Sequence, residues 1–233
     1  MNSIPRSEHP KPQFQRDSWM NLNGLWAFEI DNGRSGKARG LSAADAQLSG
    51  QILVPFCPQS ELSGVNHKDF LSGVWYRRTF ELTKEQLSGR VALHFGAVDY
   101  RCEAFVNGVS VGTHTGGYVS FCFDVTEAVR EGENVLTVYA EDDERDPLIP
   151  RGKQSELFYS HGCDYTRTTG IWQTVWMEFL PETHIEKIKI FPNVETGSFD
   201  VEALLKGAGT LAVEASYEGR PMGAASVKAD GGL

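Results

Sequence analysis

The chain has 233 residues, with 22 Lys and Arg against 31 Asp and Glu, a net charge of −9 and 40% hydrophobic residues. That composition is ordinary for a globular protein, and with no basic stripe to neutralise phosphates it argues against nucleic acid as the main partner. The opening MNSIPRSEHPKPQF lacks the apolar core of a signal peptide, and no apolar run reaches the length of a membrane span.

Residues 1–18 are polar and proline-bearing, which predicts an arm laid on the surface. Trp26, Phe28 and Ile30 then alternate beyond Gly24, the period of a half-buried strand. Residues 32–50 are rich in Gly, Ser and Ala and predict an exposed insertion, with at most one helical turn around Ala43–Gln47. ILVPF followed by CPQSELSG predicts a short edge strand and a fixed turn, because Pro55 and Pro58 cannot donate to a ladder. Val74–Leu82 is a further strand. Thr83–Gly89 crosses over, with Thr83 capping a single helical turn.

The stretch from Arg90 to Thr126 organises the rest. Val91, Leu93 and Phe95 repeat with period two, as do Cys102, Ala104 and Val106, and then Phe121, Phe123 and Val125. Asn107-Gly108 lies between AFV and VSV and predicts a two-residue hairpin turn, while Gly116-Gly117 marks a second bend. Leu136, Val138 and Ala140 share one face of the next strand. EDDERD, residues 141–146, reads as a solvated charged turn, with calcium or sugar binding as the alternative. Pro147 to Arg167 shows no strand period for some 20 residues, and so long an irregular stretch inside a compact domain points to a working loop. GIWQTVWMEFL, Gly170 to Leu180, predicts one strand apolar on both faces. Pro181–Thr183 reads as a boundary, beyond which three strands and the start of a fourth occupy about 50 residues. That is about half of an immunoglobulin-type sandwich, so the chain reads as truncated. With no helix long enough for a parallel crossover, the fold class is all-β, in two domains spanning 1–180 and 184–233.

The four cysteines, Cys57, Cys102, Cys122 and Cys163, lack metal-ligand spacing. Cys102 and Cys122 fall in apolar strand phases, which predicts buried free thiols and a reducing, cytoplasmic setting. His67, His94, His114 and His161 are too scattered for zinc, and GxSxG, HExxH and phosphate-binding glycine motifs are missing. No metal or cofactor is expected. Asp124 in FDVT reads as a strand-ending turn residue, and Asp99 beside Tyr100 and Arg101 as half of a structural ion pair. Asp164 differs. It shares the long loop with Tyr159, His161, Tyr165 and Arg167, and aromatic faces beside charged donors suit the C–H faces and hydroxyls of a sugar ring. Three classes remain open on these residues: a carbohydrate-binding module, a protein-interaction domain, or an accessory part of an enzyme.

An ordered series of segments resembles the N-terminal sugar-binding domain of glycoside hydrolase family 2, the family of β-galactosidases, β-glucuronidases and β-mannosidases. The series is LNGLW from Leu22, PFCPQSELSG from Pro55, GVWYRRTF from Gly73, FGAVD from Phe95, FVNGVSVG from Phe105, HTGGY from His114, FCFDVT from Phe121, GENVLTV from Gly132 and GIWQTVWME from Gly170. RGKQ at Arg151–Gln154 resembles a stretch common in bacterial members, and the strands after Pro181 are similar to the start of the family's immunoglobulin-like domain. The resemblance implies a jelly-roll sandwich followed by a partial immunoglobulin-like sandwich. It implies a (β/α)₈ barrel further along the same polypeptide, supplying the two glutamates of a retaining hydrolysis of β-glycosides. On that basis no residue of this chain is catalytic. Family members with galactosidase- and glucuronidase-like activity contact the nonreducing-end sugar through an aspartate six residues before the glycine of the G-I-aromatic motif, which is Asp164 here. Tyr165 and Arg167 are implied as walls of the same pocket, and Arg151 and Lys153 as groups facing the barrel or outer subsites. The implied partners are a β-glycoside or oligosaccharide and the barrel, with homo-oligomers common in the family. The alternative is a stand-alone carbohydrate-binding module or a purely structural interaction domain.

Overall fold

A computed structural model describes residues 4–143 and 145–232; residues 1–3, Glu144 within the acidic run, and Leu233 lie outside the described residues. Two compact units result, Met1–Phe179 and Leu180–Leu233. The strands of the first are β1 (Trp19–Asn21), β2 (Gly24–Ile30), β3 (Gly50–Val54), β4 (Gly73–Leu82), β5 (Arg90–Phe95), β6 (Val98–Asp99), β7 (Arg101–Val106), β8 (Val109–Thr115), β9 (Phe121–Asp124), β10 (Gly132–Glu141), β11 (Gly170–Ile171) and β12 (Val175–Leu180). They form a six-stranded sheet in the order β3-β2-β4-β10-β7-β8 and a four-stranded sheet in the order β1-β12-β5-β9.

Period-two alternation gives each sheet one apolar face, and the two faces meet in a single core. Val74, Tyr76 and Phe80 of β4 and Leu136, Val138 and Ala140 of β10 contribute from the larger sheet. Val91, Leu93 and Phe95 of β5 and Val175, Met177 and Phe179 of β12 contribute from the smaller. The hairpin expected at Asn107-Gly108 joins β7 to β8, with φ of 53° and 83° at the two turn residues, the positive pair a primed turn requires.

Five expectations are corrected. Residues 32–50 are not a bare insertion: Leu41 packs with Trp75, Phe105 and Tyr139 in a second cluster on the outer face of the larger sheet. Asp31 anchors that cover, accepting from Trp75 Nε1 at 3.0 Å and from the Gly36 amide at 2.7 Å, and residues 43–47 hold only turns. Cys122 is exposed, because Phe121 and Phe123 take the inward phase of β9, while Cys102 is buried as expected. The acidic run is not simply solvated either. Asp142 is 3% exposed, and Glu141 pairs with Arg34 at 3.1 Å.

The closing strand is broken in two. Gly170 has φ +76° and lies against Tyr76, whose hydroxyl accepts from the Ile171 amide at 3.2 Å. Gly170 and Ile171 pair with Asp99 and Val98, and the chain then bends past Gly96 before β12 begins. The arm is tied down rather than merely laid on the surface: buried Glu178 binds Arg16 at 2.6 Å and His94 at 3.0 Å.

The second unit holds two antiparallel hairpins, β13 (His184–Asn193) with β14 (Ser198–Lys206) and β15 (Gly209–Tyr217) with β16 (Arg220–Ala229). Ile185, Ile188, Val201, Ala203, Leu211 and Val213 line an apolar gap between them, and Ile190 and Phe199 stay 57% and 44% exposed.

Gly170→Ala is expected to destabilise the first unit by about 2–4 kcal/mol in urea unfolding, since the new Cβ would lie 2.2 Å from the hydroxyl of the fully buried Tyr76 at a left-handed φ. An unchanged unfolding midpoint would refute the close approach.

Candidate functional site

The long loop leaves β10 after Glu141 and returns at β11, and both roots rest on one segment. The Tyr100 amide donates to the Glu141 carbonyl at 3.3 Å, and Asp99 pairs with Gly170 across the short β6-β11 ladder. Between the roots the loop has almost no regular structure. Its backbone groups are buried in part and need partners from elsewhere.

Three buried polar side chains supply them. Gln154, 7% exposed, accepts from the Thr168 amide at 2.5 Å and donates to Asp99 Oδ2 at 2.8 Å and to the Tyr118 hydroxyl at 3.2 Å. Gln59, from the turn after β3, exchanges two bonds with Thr169, its Nε2 donating to Oγ1 at 3.0 Å and its Oε1 accepting from the amide at 3.2 Å. Arg167, 1% exposed, donates to the carbonyls of Ser155, Leu157 and Lys68. Its guanidinium also lies 4.1 Å from the ring centroid of Phe70, which carries Arg145 at 3.9 Å as well, so one ring engages cations from both arms of the loop. A parallel bridge between Gln154 and Tyr165 closes the base, with the Ser155 amide on the Tyr165 carbonyl and the Tyr165 amide on the Lys153 carbonyl, both at 2.8 Å.

The tip is a tight turn in which the amide of Asp164 donates to the carbonyl of His161 at 2.7 Å and the amide of His161 donates back at 3.2 Å. Gly162 sits inside it with φ +52°. The Asp164 carboxylate is 30% exposed, and His161 stands between it and Glu156, at 3.6 Å and 3.7 Å. Arg151 reaches Glu156 at 3.2 Å, extending the line of alternating charges. Among the described residues, Glu156, His161 and Asp164 are the one set whose ligand atoms, within 4.8 Å of one another, could share a cation. Ion pairing accounts for their closeness whenever the imidazole is protonated.

The three residues expected to share one pocket face different ways. Asp164 stands at the tip, partly open to solvent. Tyr165, 62% exposed, lines a cleft with Asp99, Tyr118 and Trp172 in which Asp164 takes no part. Arg167 points into the protein and is corrected from a pocket wall to a brace, because it is 1% exposed and its described hydrogen bonds all go to backbone carbonyls. Asp99 is corrected too. It is 2% exposed and hydrogen-bonded to Gln154 instead of paired with a cation, and its burial pushes its pKa up to about 6. Asp124 ends β9 as expected: against the effect of burial, bonds from Thr126 and Arg90 hold it at about 2.

Residues 19–181 match the family model for the sugar-binding domain of glycosyl hydrolases family 2. The chain belongs to that family. It is 30% identical over 184 residues to a putative β-glucuronidase of Formosa agariphila, covering 79% of this chain and 21% of that protein. It is 29% identical over 201 residues to a β-galactosidase of Bacteroides ovatus, covering 83% of this chain and 22% of the relative. The fold matches a β-glucuronidase from Ruminococcus gnavus in complex with D-glucaro 1,5-lactone, with TM-score 0.74 and 19% identity over 92% of this chain and 39% of that one. The chain thus spans about a fifth of the length of these two curated relatives.

Within this family 2 domain, the roles of Gln154 and Gln59 went unnoticed in the sequence, where a glutamine flanked by Lys153 and Ser155, or by Pro58 and Ser60, reads as surface. Each lay in a segment of the resemblance, RGKQ or PFCPQSELSG, which pointed to the whole stretch instead of the one residue.

Arg167→Ala and Arg167→Lys are both expected to cost about 3 kcal/mol in denaturant unfolding, because three buried or partly buried carbonyls lose a forked donor that one ammonium cannot replace. Asp164→Ala and Tyr165→Ala should each stay within roughly 0.5 kcal/mol of the natural chain. Equal losses at all three positions would contradict the brace.

Asp99 also makes stability pH-dependent in a fixed direction. Its folded pKa of about 6 exceeds the ordinary 3.8, so its contribution is present below about pH 4 and is lost as the pH rises through 6. Asp99→Asn is therefore expected to gain on the natural chain by about 2 kcal/mol between pH 4 and pH 7.5, read from unfolding midpoints. A difference independent of pH would rule out the buried charge.

Proposed function

We propose that this family 2 sugar-binding domain is the non-catalytic, substrate-shaping part of a retaining β-glycosidase, acting on β-galactosides or β-glucuronides. A (β/α)₈ barrel elsewhere in the same polypeptide would supply both catalytic glutamates. The observation that carries the reading is Asp164: a carboxylate on a braced loop tip, exposed enough to be reached, at the position where the family resemblance implies a sugar contact. Phe158, Tyr159, Tyr165 and Tyr118 are 63%, 66%, 62% and 51% exposed on and beside the loop, an aromatic surface that suits a sugar and a covering domain. The relatives' names support the two sugar classes, and the open apolar gap in the second unit supports further strands of an immunoglobulin-like domain. A reducing, cytoplasmic setting belongs to the same proposal. Burial raises the pKa of the Cys102 thiol, which keeps it protonated and unreactive.

A carboxylate accepting hydrogen bonds from sugar hydroxyls contributes about 1.5–3 kcal/mol per bond while it stays ionised, and more once a closing domain excludes water. In the full-length polypeptide, Asp164→Ala is expected to lower kcat/KM on the better of nitrophenyl β-galactoside and β-glucuronide at least tenfold (about 1.4 kcal/mol) with the melting temperature unchanged. A variant as active as the natural enzyme would sink the sugar contact and leave a buttress. A full-length polypeptide that hydrolyses neither glycoside would favour the stand-alone carbohydrate-binding module.

A further inference from the structure

Asp99 is a carboxylate with too few partners. It is 2% exposed, and among the described residues its one hydrogen bond comes from Gln154 and no cation pairs with it. Buried charges ordinarily have a counter-charge or several donors, because desolvation otherwise outweighs what one bond returns. Beside Asp99 opens a cleft of about 320 Å³, at the small end of ligand sites, which span roughly 300–1,000 Å³.

The walls of the cleft are fixed before anything enters it. Trp172 is held by its indole N–H on the Gly117 carbonyl, and Tyr118 by its hydroxyl on the Arg151 carbonyl, both at 2.8 Å. The two rings stand 6.1 Å apart at 70°, forming an aromatic corner, and Gly117 lets Asp99 approach it: a Cβ there would lie 2.2 Å from Asp99 Oδ1. Tyr165 and Thr168 add a third ring and a hydroxyl. Lys153 and Arg151 stand at the cleft as well, which disfavours a cationic ligand, while the carboxylate of Asp99 disfavours an anion lying deep. A neutral polyol with an apolar face satisfies all of these groups.

We propose that this cleft is a saccharide-binding position in its own right, taking one pyranose ring whose hydroxyls donate to Asp99 while a C–H face packs on Trp172 or Tyr118. It is separate from the Asp164 contact, since Asp164 does not line it. It stands or falls independently of that contact. Locked aromatic platforms keep the ordering cost of binding low. A uronic acid would bind with its carboxylate turned outward to Lys153.

The test is a titration of the 233-residue chain with methyl β-galactoside and methyl β-glucuronide, followed by the Trp172 indole N–H signal in NMR. Millimolar binding is expected, weakened at least tenfold in Asp99→Asn and in Trp172→Ala, where the backbone amide of Thr168 in the cleft wall replaces the missing indole as the reporter, and unchanged in Asp164→Ala. Lys153→Gln, at an exposed position, should weaken the glucuronide alone and keeps the proposal testable if Trp172→Ala does not fold. A Trp172 signal that does not move with either glycoside overturns the proposal. So does binding that survives Asp99→Asn and disappears in Asp164→Ala, which would assign the sugar to the loop tip instead.

Discussion

A loop without regular secondary structure keeps its shape only if its buried peptide groups find partners, and in this protein buried side chains supply several of those partners beside a few backbone bonds. Gln59, Gln154 and Arg167 satisfy backbone groups of the loop from beneath. Each is polar, each is buried, and each reaches across a long separation in sequence or ties one arm of the loop to the other. Remove that support and the same residues would sample many conformations, with an entropic cost to recover on binding. The site depends on this bracing more than on any single exposed group.

What the bracing achieves is division of labour among near neighbours. From Asp164 to Arg167 the chain presents a partly open carboxylate, an exposed ring and a buried brace within four residues. The sandwich beneath supplies the fixed frame: both loop roots rest on the Asp99–Tyr100 segment, which Val98 and Ile171 hold to the core. The arrangement carries an electrostatic cost at Asp99, whose burial raises its pKa. Sites that bind tend to keep such unfavourable groups, because a ligand can supply the missing donors.

The sandwich was legible because period-two alternation is a direct consequence of strand geometry, and β2, β5, β7, β9 and β10 announced themselves that way. Asn107-Gly108 was legible because only a primed turn wants two positive φ values. The break between Ile171 and Val175 was not, since apolar residues on both faces read as one continuous strand and the approach of Tyr76 to Gly170 comes from a distant segment. Residues 32–50 misled in the same way: small residues look like solvent-facing linker, and the anchor at Asp31 depends on Trp75 far along the chain. In the candidate site, Asp164 was singled out by its company on the loop and by its spacing from Gly170 within a family resemblance. Arg167 was found for the wrong reason, because charge on a loop suggests a ligand and says nothing about burial. Gln59 and Gln154 carried no charge to attract notice.

The central claim is that a loop held rigid from beneath places Asp164 against a sugar. The most direct measurement is a crystal structure of the full-length polypeptide with a non-hydrolysed β-galactoside or β-glucuronide bound. The account predicts a carboxylate oxygen of Asp164 within hydrogen-bond distance of sugar hydroxyls, roughly 2.6–3.2 Å, with the Gln154 and Arg167 contacts unchanged. A sugar bound at the barrel with Asp164 out of reach, or a loop that has abandoned those contacts, would contradict it.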